Sequence, residues 1–187
     1  MGYVLGRFSM DTAERDCFRY CPGCGCEGFA RQDVKKFTCN KCGFEFYLNP
    51  AATAVALIRD KRGRLLVAVR KNEPAKGTLD LPGGFVDREE SAEEGLRREI
   101  REETGLEIVS ARYLYSVPNV YEFKGVVYPT TDLVYVCEVE DASKARAGDD
   151  ADTVLLMSRD ELDPAKFGLR SIREIVLRYL SETDGGG

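Results

Sequence analysis

The sequence contains no histidine and no tryptophan among its 187 residues. Without histidine, Ser–His and Cys–His nucleophile pairs are excluded, and no imidazole is available to bind a metal. Any general base must therefore be a carboxylate, a lysine, a tyrosine or a cysteine.

Long apolar runs are also missing. No stretch approaches the roughly 18 apolar residues of a membrane-spanning helix. The first twenty residues lack the continuous apolar segment of a signal peptide. We therefore expect a cytoplasmic protein with no membrane partner.

Charge is moderate and of mixed sign. The formal net charge is −5, with 43% hydrophobic and 32% charged residues, which is typical of a globular protein. The negative net charge disfavours a global electrostatic attraction to nucleic acid. A short basic cluster at Lys35, Lys36 and Lys41 leaves room for a local contact, although it is more typical of a solvated face.

Composition divides the chain into four parts. We predict an N-terminal arm at 1–19, a Cys- and Gly-rich module at 20–48, a domain of strand and helix patterns at 49–182, and a disordered tail at 183–187. Asn49-Pro50 marks the central boundary, because proline disfavours helix in the residue before it. The interleaved patterns predict a mixed α/β fold.

Local signals place the main elements of the α/β domain. A capping box at Ser91 and Glu94 starts a helix that ends before Gly105. A second helix is predicted to start near Ser171, with Glu174 as its capping partner. The predicted strands are 51–59 and 64–70, which we expect to form a hairpin, and 106–116 and 126–139, followed by a loop at 141–152.

Four of the seven cysteines form two CxxC pairs, Cys21 with Cys24 and Cys39 with Cys42, separated by fourteen residues. Two such turns supply four thiolates, which is enough to close a tetrahedral zinc site with no open position. The spacing predicts a structural zinc ribbon. The alternative is four ordinary or disulfide-bonded cysteines, and Cys26 is a substitute ligand outside the pairs.

Three glutamates, Glu99, Glu102 and Glu103, stand at i, i+3 and i+4 and share one face of the first helix. Crowded carboxylates favour a hard divalent cation such as Mg²⁺ or Mn²⁺. A solvated, charge-rich surface helix is the alternative for the glutamates taken alone. An ion pair between Arg98 and Glu90 is expected to fix the preceding loop against the helix.

The region around this helix resembles the Nudix box, G-x5-E-x7-R-E-U-x-E-E-x-G-U with U apolar. All nine specified positions match: Gly84, Glu90, Arg98, Glu99, Ile100, Glu102, Glu103, Gly105 and Leu106. The resemblance implies an α/β/α sandwich with a mixed sheet, and hydrolysis of a nucleoside diphosphate linked to another moiety.

The same resemblance implies roles for individual residues. Glu99 and Glu103 would be the principal Mg²⁺ or Mn²⁺ ligands, joined by the carbonyl of Gly83, and Glu102 would bind metal or activate water. Glu90 and Arg98 would orient these metal ligands without binding the ion themselves. Glu102, Glu103 or an acid of the Asp149-Asp150 loop would be the base, and Asp150 aligns with a distal metal-binding glutamate of related enzymes.

A zinc ribbon directly before such a domain resembles the NADH pyrophosphatase family. That family carries SQPWPFPxS, a motif tied to its preference for NADH, after its box, whereas this chain has YSVPNVY at 115–121 and so departs from the motif. Tyr121 and Pro118 lie where other subgroups carry a substrate-binding tyrosine or proline. The substrate is thus expected among NAD(H), ADP-ribose and similar dinucleotides.

Two further readings stay open. A non-hydrolytic nucleotide-sensing or RNA-binding module is one, although the intact glutamates argue against it. Removal of an NAD-type cap from RNA is the other. A homodimer is implied by resemblance alone.

Overall fold

The structure is a computed structural model that describes residues 18–124, 126–148 and 151–182. Most of the predicted arm, the tail, Asp149 and Asp150 lie outside the described residues. The chain divides into two compact units, Met1–Asn49 with Glu122–Pro129, and Pro50–Tyr121 with Thr130–Gly187. The domain limits 20–48 and 49–182 stay a prediction.

The first unit contains a small antiparallel sheet. Its strands are β1 (Phe29–Arg31), β2 (Lys36–Cys39) and β3 (Glu45–Tyr47), in the order β1-β2-β3. The buried core consists of Cys21, Phe29, Phe37 and Cys39, with partly buried aromatic and apolar side chains around it. Four buried side chains are a small core, which favours additional stabilisation by a metal.

The second unit contains seven strands and two α-helices. The strands are β4 (Ala51–Ile58), β5 (Leu65–Arg70), β6 (Leu79–Asp80), β7 (Gly83–Phe85), β8 (Ile108–Phe123), β9 (Val126–Val139) and β10 (Ala151–Met157), of which β8 and β9 extend into the first unit. The helices are α1 (Ala92–Thr104) and α2 (Arg170–Ser181). Short 3₁₀ turns occupy Ala142–Lys144, Arg159–Glu161 and Pro164–Lys166.

The central sheet is mixed, as predicted. Its strand order is β7-β4-β9-β8, with β4 parallel to β9 and antiparallel to β7. A second, antiparallel sheet has the order β10-β5-β6. The parallel pair is consistent with β4 being covered on both faces.

Alternate residues of β4 pack into two different cores. Ala54, Ala56 and Ile58 pack with Leu96 and Ile100 of α1. The intervening residues, Val55 and Leu57, pack with Ile172, Ile175 and Val176 of α2. Because successive strand side chains point to opposite faces, α1 and α2 cover opposite faces of the sheet, and the predicted α/β/α sandwich is confirmed.

The predicted hairpin of 51–59 with 64–70 is wrong except at its base. β4 and β5 meet at one bridge, Arg59 with Leu65, and then belong to different sheets. The turn between them forms as expected, since Asp60 accepts hydrogen bonds from the Arg62 and Arg64 amides. Beyond the turn, β4 pairs instead with β7 and β9, which come from distant parts of the sequence.

Two other local predictions need correction. Helix α2 starts at Arg170, so Ser171 lies within it, fully buried, and its hydroxyl has no hydrogen-bond partner among the described residues. The predicted loop at 141–152 ends in β10, whose pairing with β5 is a long-range contact that polar local sequence does not reveal. In the described part of the chain, no helix is long and apolar enough to span a membrane.

Candidate active site and cysteine cluster

Strand β7 brings two glycines against the first helix. The amide of Gly83 donates to Glu103 Oε2 at 2.9 Å. A Cβ at Gly83 would lie 2.0 Å from the Ala54 carbonyl oxygen, and its φ of 143° disfavours any other residue. A Cβ at Gly84 would lie 2.4 Å from the carboxyl carbon of Glu99. The strand can therefore approach both carboxylates only because it lacks side chains here.

Helix α1 is capped at both ends as predicted. Ser91 accepts from the Glu94 amide, the Ser91 amide donates to Glu94, and Gly105 closes the helix with φ 69°. The segment after β9 adds a contact at the carboxyl end, where the Gly148 amide donates to the Glu103 carbonyl at 2.9 Å. A Cβ at Gly148 would lie 1.9 Å from the Glu102 carbonyl oxygen. The turn that carries two glutamates is thus fixed by several backbone contacts.

Arg98 is the cation against which the acidic side chains lie. Its guanidinium donates to both oxygens of Glu90, at 2.7 and 3.2 Å, which forms the predicted ion pair. It also donates to Glu99 at 2.7 Å, to Glu102 at 3.2 Å and to the Phe85 carbonyl at 3.0 Å. Hydrogen bonds from Arg98 hold the pKa of Glu90 below its ordinary value.

The three glutamates differ in environment. The side chain of Glu99 is 16% exposed and that of Glu102 is 57% exposed. Glu103 is held by the Gly83 amide. Oxygen donors of this kind fit Mg²⁺ or Mn²⁺, and the gap left by Gly84 admits the Glu99 carboxylate. Glu99, Glu102 and Glu103 are the described side chains that would hold such an ion.

A second group of polar side chains was not found by sequence reasoning. Asp132 on β9 is 4% exposed, and its Oδ1 accepts from the hydroxyls of Thr53 at 2.6 Å and Thr130 at 3.2 Å. Asn119 on β8 is 9% exposed. The available signal was an acidic residue inside an otherwise apolar strand pattern, DLVYVCEV at 132–139.

Tyr121 and Pro118, the predicted substrate contacts, lie on opposite faces of β8. The ring of Tyr121 meets that of Phe85 edge to face, with centroids 5.6 Å apart. Pro118 is exposed and, by strand alternation, points away from Tyr121. Phe85 is itself 40% exposed and follows Gly84 on β7, so the aromatic pair lies one position along the strand from the glycine that contacts Glu99.

An ion pair lies close to this polar group. Arg70 on β5 pairs with Asp80 on β6, and Arg70 also donates to the Pro74 carbonyl at 2.7 Å. Burial raises the pKa of Asp80, against the opposing charge of Arg70, and the nearby charge of Asp132 raises it further.

The four paired cysteines converge in the first unit. The Sγ atoms of Cys21, Cys24, Cys39 and Cys42 all lie within 4.8 Å of one another. Two of the separations, Cys21 to Cys42 and Cys24 to Cys39, are 3.7 Å. Zinc–sulfur bonds of 2.3 Å in a tetrahedron place sulfurs about 3.8 Å apart, so this donor set fits Zn²⁺.

Backbone amides support the same cysteines. Gly23 donates to Cys21 Sγ at 3.3 Å, and Lys41 and Cys42 donate to Cys39 Sγ at 3.4 Å. The Cys42 amide is the main cause that lowers the pKa of Cys39 to about 6, which favours the metal-binding thiolate. Cys26 lies outside the four-thiol group, with its Sγ 3.3 Å from that of Cys39.

Comparisons with known proteins agree on one family. A family model described as the NUDIX domain matches residues 49–179. An ADP-ribose pyrophosphatase of Methanocaldococcus jannaschii is 33% identical over 153 residues, which cover 81% of this chain and 86% of that protein. A NAD-capped RNA hydrolase of Stutzerimonas stutzeri is 32% identical over 52% of this chain, but the match spans only 35% of that protein.

The fold is also found among solved structures. A NUDIX hydrolase from Nitrosomonas europaea superposes with a TM-score of 0.69, covering 90% of this chain and 93% of that one. Its sequence identity is 22%, so this likeness is one of fold.

Proposed function

The chain belongs to the NUDIX family, and we propose that it is a Mg²⁺- or Mn²⁺-dependent pyrophosphohydrolase that acts on ADP-ribose or a closely related dinucleotide. One observation carries the proposal. The two glycines of β7 lie directly against Glu99 and Glu103, on a helix whose remaining box residues, Arg98 and Glu90, form an ion pair.

The chemistry follows from the charges at this site. A divalent ion, when bound, supplies neutralisation of phosphate oxygens and a lowered pKa for bound water. Glu99 and Glu103 are held in place by the Gly84 gap and the Gly83 amide, so their carboxylates are positioned before a ligand arrives. Arg98 orients Glu99 and Glu102 through direct hydrogen bonds.

Glu102 is the strongest candidate for the general base. Its side chain is 57% exposed, against 17% for Glu90 and 16% for Glu99, and so it is accessible to a water molecule at the phosphate. Asp150, which the resemblance also suggested as a metal ligand or base, lies outside the described residues. The chain offers no histidine for this role.

ADP-ribose is the first candidate substrate because the relative that matches along most of both chains is an ADP-ribose pyrophosphatase. The match to a NAD-capped RNA hydrolase supports NAD or an NAD-capped RNA as a second candidate substrate. This match covers 35% of that protein. Within the basic cluster of Lys35, Lys36 and Lys41, Lys36 is paired with Glu45 at 2.5 Å, which reduces the positive charge available for a contact with RNA.

The proposal is tested by product formation from ADP-ribose, NAD⁺, NADH, diadenosine polyphosphates, nucleotide sugars and NAD-capped RNA, with Mg²⁺ or Mn²⁺. We expect ADP-ribose to give AMP and ribose 5-phosphate. Glu102→Gln should lower turnover at least about a hundredfold while the protein stays folded, because it removes one strongly placed charge. Glu140→Gln, at an exposed position after β9, is the matched control and should retain full turnover.

The outcomes separate the open alternatives. Near-normal turnover in Glu102→Gln would remove this residue from the mechanism. Measurable nucleotide binding with no cleavage of any compound would favour the regulatory module. Cleavage confined to capped RNA, with binding that weakens as salt rises, would select the RNA substrate.

A further inference from the structure

We infer that Asn119 and Asp132 form the subsite that recognises the nucleobase, and that this base carries an exocyclic amino group. This inference rests on the proposed function and names the part of the substrate that lies beyond the diphosphate.

The first step is the placement of these residues on one face of the central sheet. Val117 and Val134 belong to the core that α2 covers. Asn119 lies two residues after Val117, and Asp132 lies two residues before Val134, on neighbouring strands. Strand alternation therefore puts both side chains on the same face, just beyond the end of the apolar core.

The second step is that these buried groups have unused hydrogen-bonding capacity. Thr53 and Thr130 both donate to Oδ1 of Asp132, which leaves Oδ2 with no hydrogen-bond partner among the described residues. The Asn119 amide likewise has none in the described part of the chain, although the residue is only 9% exposed. Within the described ranges, the Ser171 hydroxyl is the one fully buried polar side-chain atom that has no hydrogen-bond partner. Asp132 Oδ2 and the Asn119 amide therefore keep some contact with solvent. A fold gains nothing from burying such groups unpaired, so their arrangement points to a ligand.

The third step is the aromatic pair above the same face. Phe85 on β7 pairs with Thr53 across the strands, so both side chains share the face that carries Asp132. Tyr121 follows Asn119 by two residues on β8 and shares that face as well. Although β4 and β9 separate their strands, the two rings meet at 5.6 Å, so they reach each other across this face. A planar base has a surface on which to stack here.

The hydrogen-bonding groups of Asp132 and Asn119 determine which base they can bind. Asp132 Oδ2 only accepts hydrogen bonds, whereas the Asn119 amide offers one acceptor and two donor hydrogens. The complementary ligand edge must donate from an amino group and accept through a ring nitrogen or carbonyl. Adenine, guanine and cytosine each present such an edge, whereas hypoxanthine lacks the amine. The proposed substrate, ADP-ribose, supplies adenine.

The position also suits the reaction. Phe85 adjoins Gly84, which lies against Glu99, and the Phe85 carbonyl accepts from Arg98. Because Phe85 and Gly84 point to opposite faces of β7, a substrate whose base is held against this ring would reach the glutamates around this edge strand. The edge strand β7 connects the two parts of the site.

The decisive experiment compares kcat/KM of the wild-type protein for ADP-ribose and for its guanine and hypoxanthine counterparts, GDP-ribose and IDP-ribose. We expect at least one amine-bearing substrate to exceed IDP-ribose by at least about tenfold, since loss of a hydrogen bond to a charged group carries a penalty of this order. The two amine-bearing arms show which purine is used. Values for all three within about threefold would overturn the inference.

Two variants assign the preference to residues. Asn119→Ala and Asp132→Asn should each lower the amine-to-hypoxanthine ratio of kcat/KM at least about fivefold, mainly by raising KM for the amine-bearing substrate. Asp160→Asn, at an exposed site, is the matched control and should leave the ratio unchanged. A ratio that both variants leave unchanged would overturn the assignment. Asn119→Ala and the substrate series decide the matter if Asp132→Asn fails to fold.

A measurement of nucleotide binding distinguishes failure of the proposed function from failure of this inference. If the wild-type protein hydrolyses none of the three compounds, the proposed activity is wrong, and calorimetry with AMP, GMP and IMP then tests the subsite by itself. Tighter binding of AMP or GMP than of IMP, weakened by Asn119→Ala, supports the inference without any turnover. Equal affinities for the three overturn it.

Discussion

Arg98 shows how one residue can organise an acidic site. Its guanidinium contacts Glu90, Glu99, Glu102 and the Phe85 carbonyl, and its side chain is 27% exposed. Glu99 and Glu102 on adjoining turns of α1, with Glu90 of the preceding loop beside them, would repel one another in its absence. Because the guanidinium is planar and carries five donors, a lysine at this position would not reproduce these contacts.

At the residue scale, Gly84→Ala should reduce activity without unfolding the protein. The added Cβ would lie 2.4 Å from the Glu99 carboxyl carbon, and that flexible end can move aside. We expect turnover to fall at least about tenfold and the Mg²⁺ concentration for half-activation to rise, as with other changes to residues that orient metal ligands. Steady-state kinetics over a Mg²⁺ titration, beside a thermal melt, measures both effects.

Gly83→Ala is the contrasting variant. Its Cβ would lie 2.0 Å from a backbone oxygen of Ala54, which cannot move aside, and the backbone would be strained at φ 143°. This change should lower stability as well as activity. Equal melting temperatures for the two variants, or full activity in Gly84→Ala, would contradict this account of the glycine pair.

At the scale of the element, helix α1 holds the three glutamates in fixed positions. A capping box starts it, Gly105 ends it, and amides of the segment after β9 bind its last carbonyls. Leu96 and Ile100 bury its other face against the central sheet. The helix therefore fixes the glutamates through its backbone as well as through Arg98.

Ser91→Ala should destabilise the protein by about 1 kcal/mol, the usual cost of losing an N-cap side chain. Urea unfolding followed by circular dichroism measures the change. Ser91→Thr, which keeps the hydroxyl, should recover most of the loss, and Ser116→Ala at an exposed strand position should change stability by less than about 0.5 kcal/mol.

The capping box also predicts the sign of a pH effect. Hydrogen bonds from Ser91, its backbone amide first, hold the pKa of Glu94 below its ordinary value. A carboxyl whose pKa is lower in the folded state stabilises the protein at neutral pH, and this stabilisation is lost as the pH falls through the acidic range. The difference in the free energy of unfolding between wild type and Glu94→Gln should therefore shrink in acid, and a difference that grows there would argue against the capping box.

At the scale of the whole molecule, the chain consists of two compact units with separate cores. The first is small and contains the four converging thiols, whereas the second contains the two large cores on either face of its sheet. Metal binding would therefore supply much of the folding free energy of the first unit.

Cys39→Ser should release zinc and unfold the first unit, while the second unit keeps its own cooperative transition. Metal analysis of the purified protein, together with a thermal melt, tests both parts. Cys26→Ser is the matched control, because Cys26 lies 3.3 Å from Cys39 yet outside the four-thiol group, and it should retain one zinc per chain. Zinc lost from Cys26→Ser but kept by Cys39→Ser would show that the ligand set is different.

The sequence by itself determined the features that depend on local spacing. Capping residues and apolar periodicity located α1, with its limits set by Ser91 and Gly105. The two CxxC pairs and the Nudix box named the cysteines, glutamates and Arg98 in advance, because each motif is contained in a short segment. The extent of β9 was likewise predictable from one continuous pattern.

Only the tertiary structure decided which distant segments pair. β4 joins β7 and β9 rather than β5, and β10, which begins inside the predicted loop at 141–152, pairs with β5. Asn119, Asp132 and Phe85 come together on one face although 47 positions separate the first and last of them in the sequence. Local patterns carry no information on such pairings, since these are fixed by burying both faces of the sheet at once.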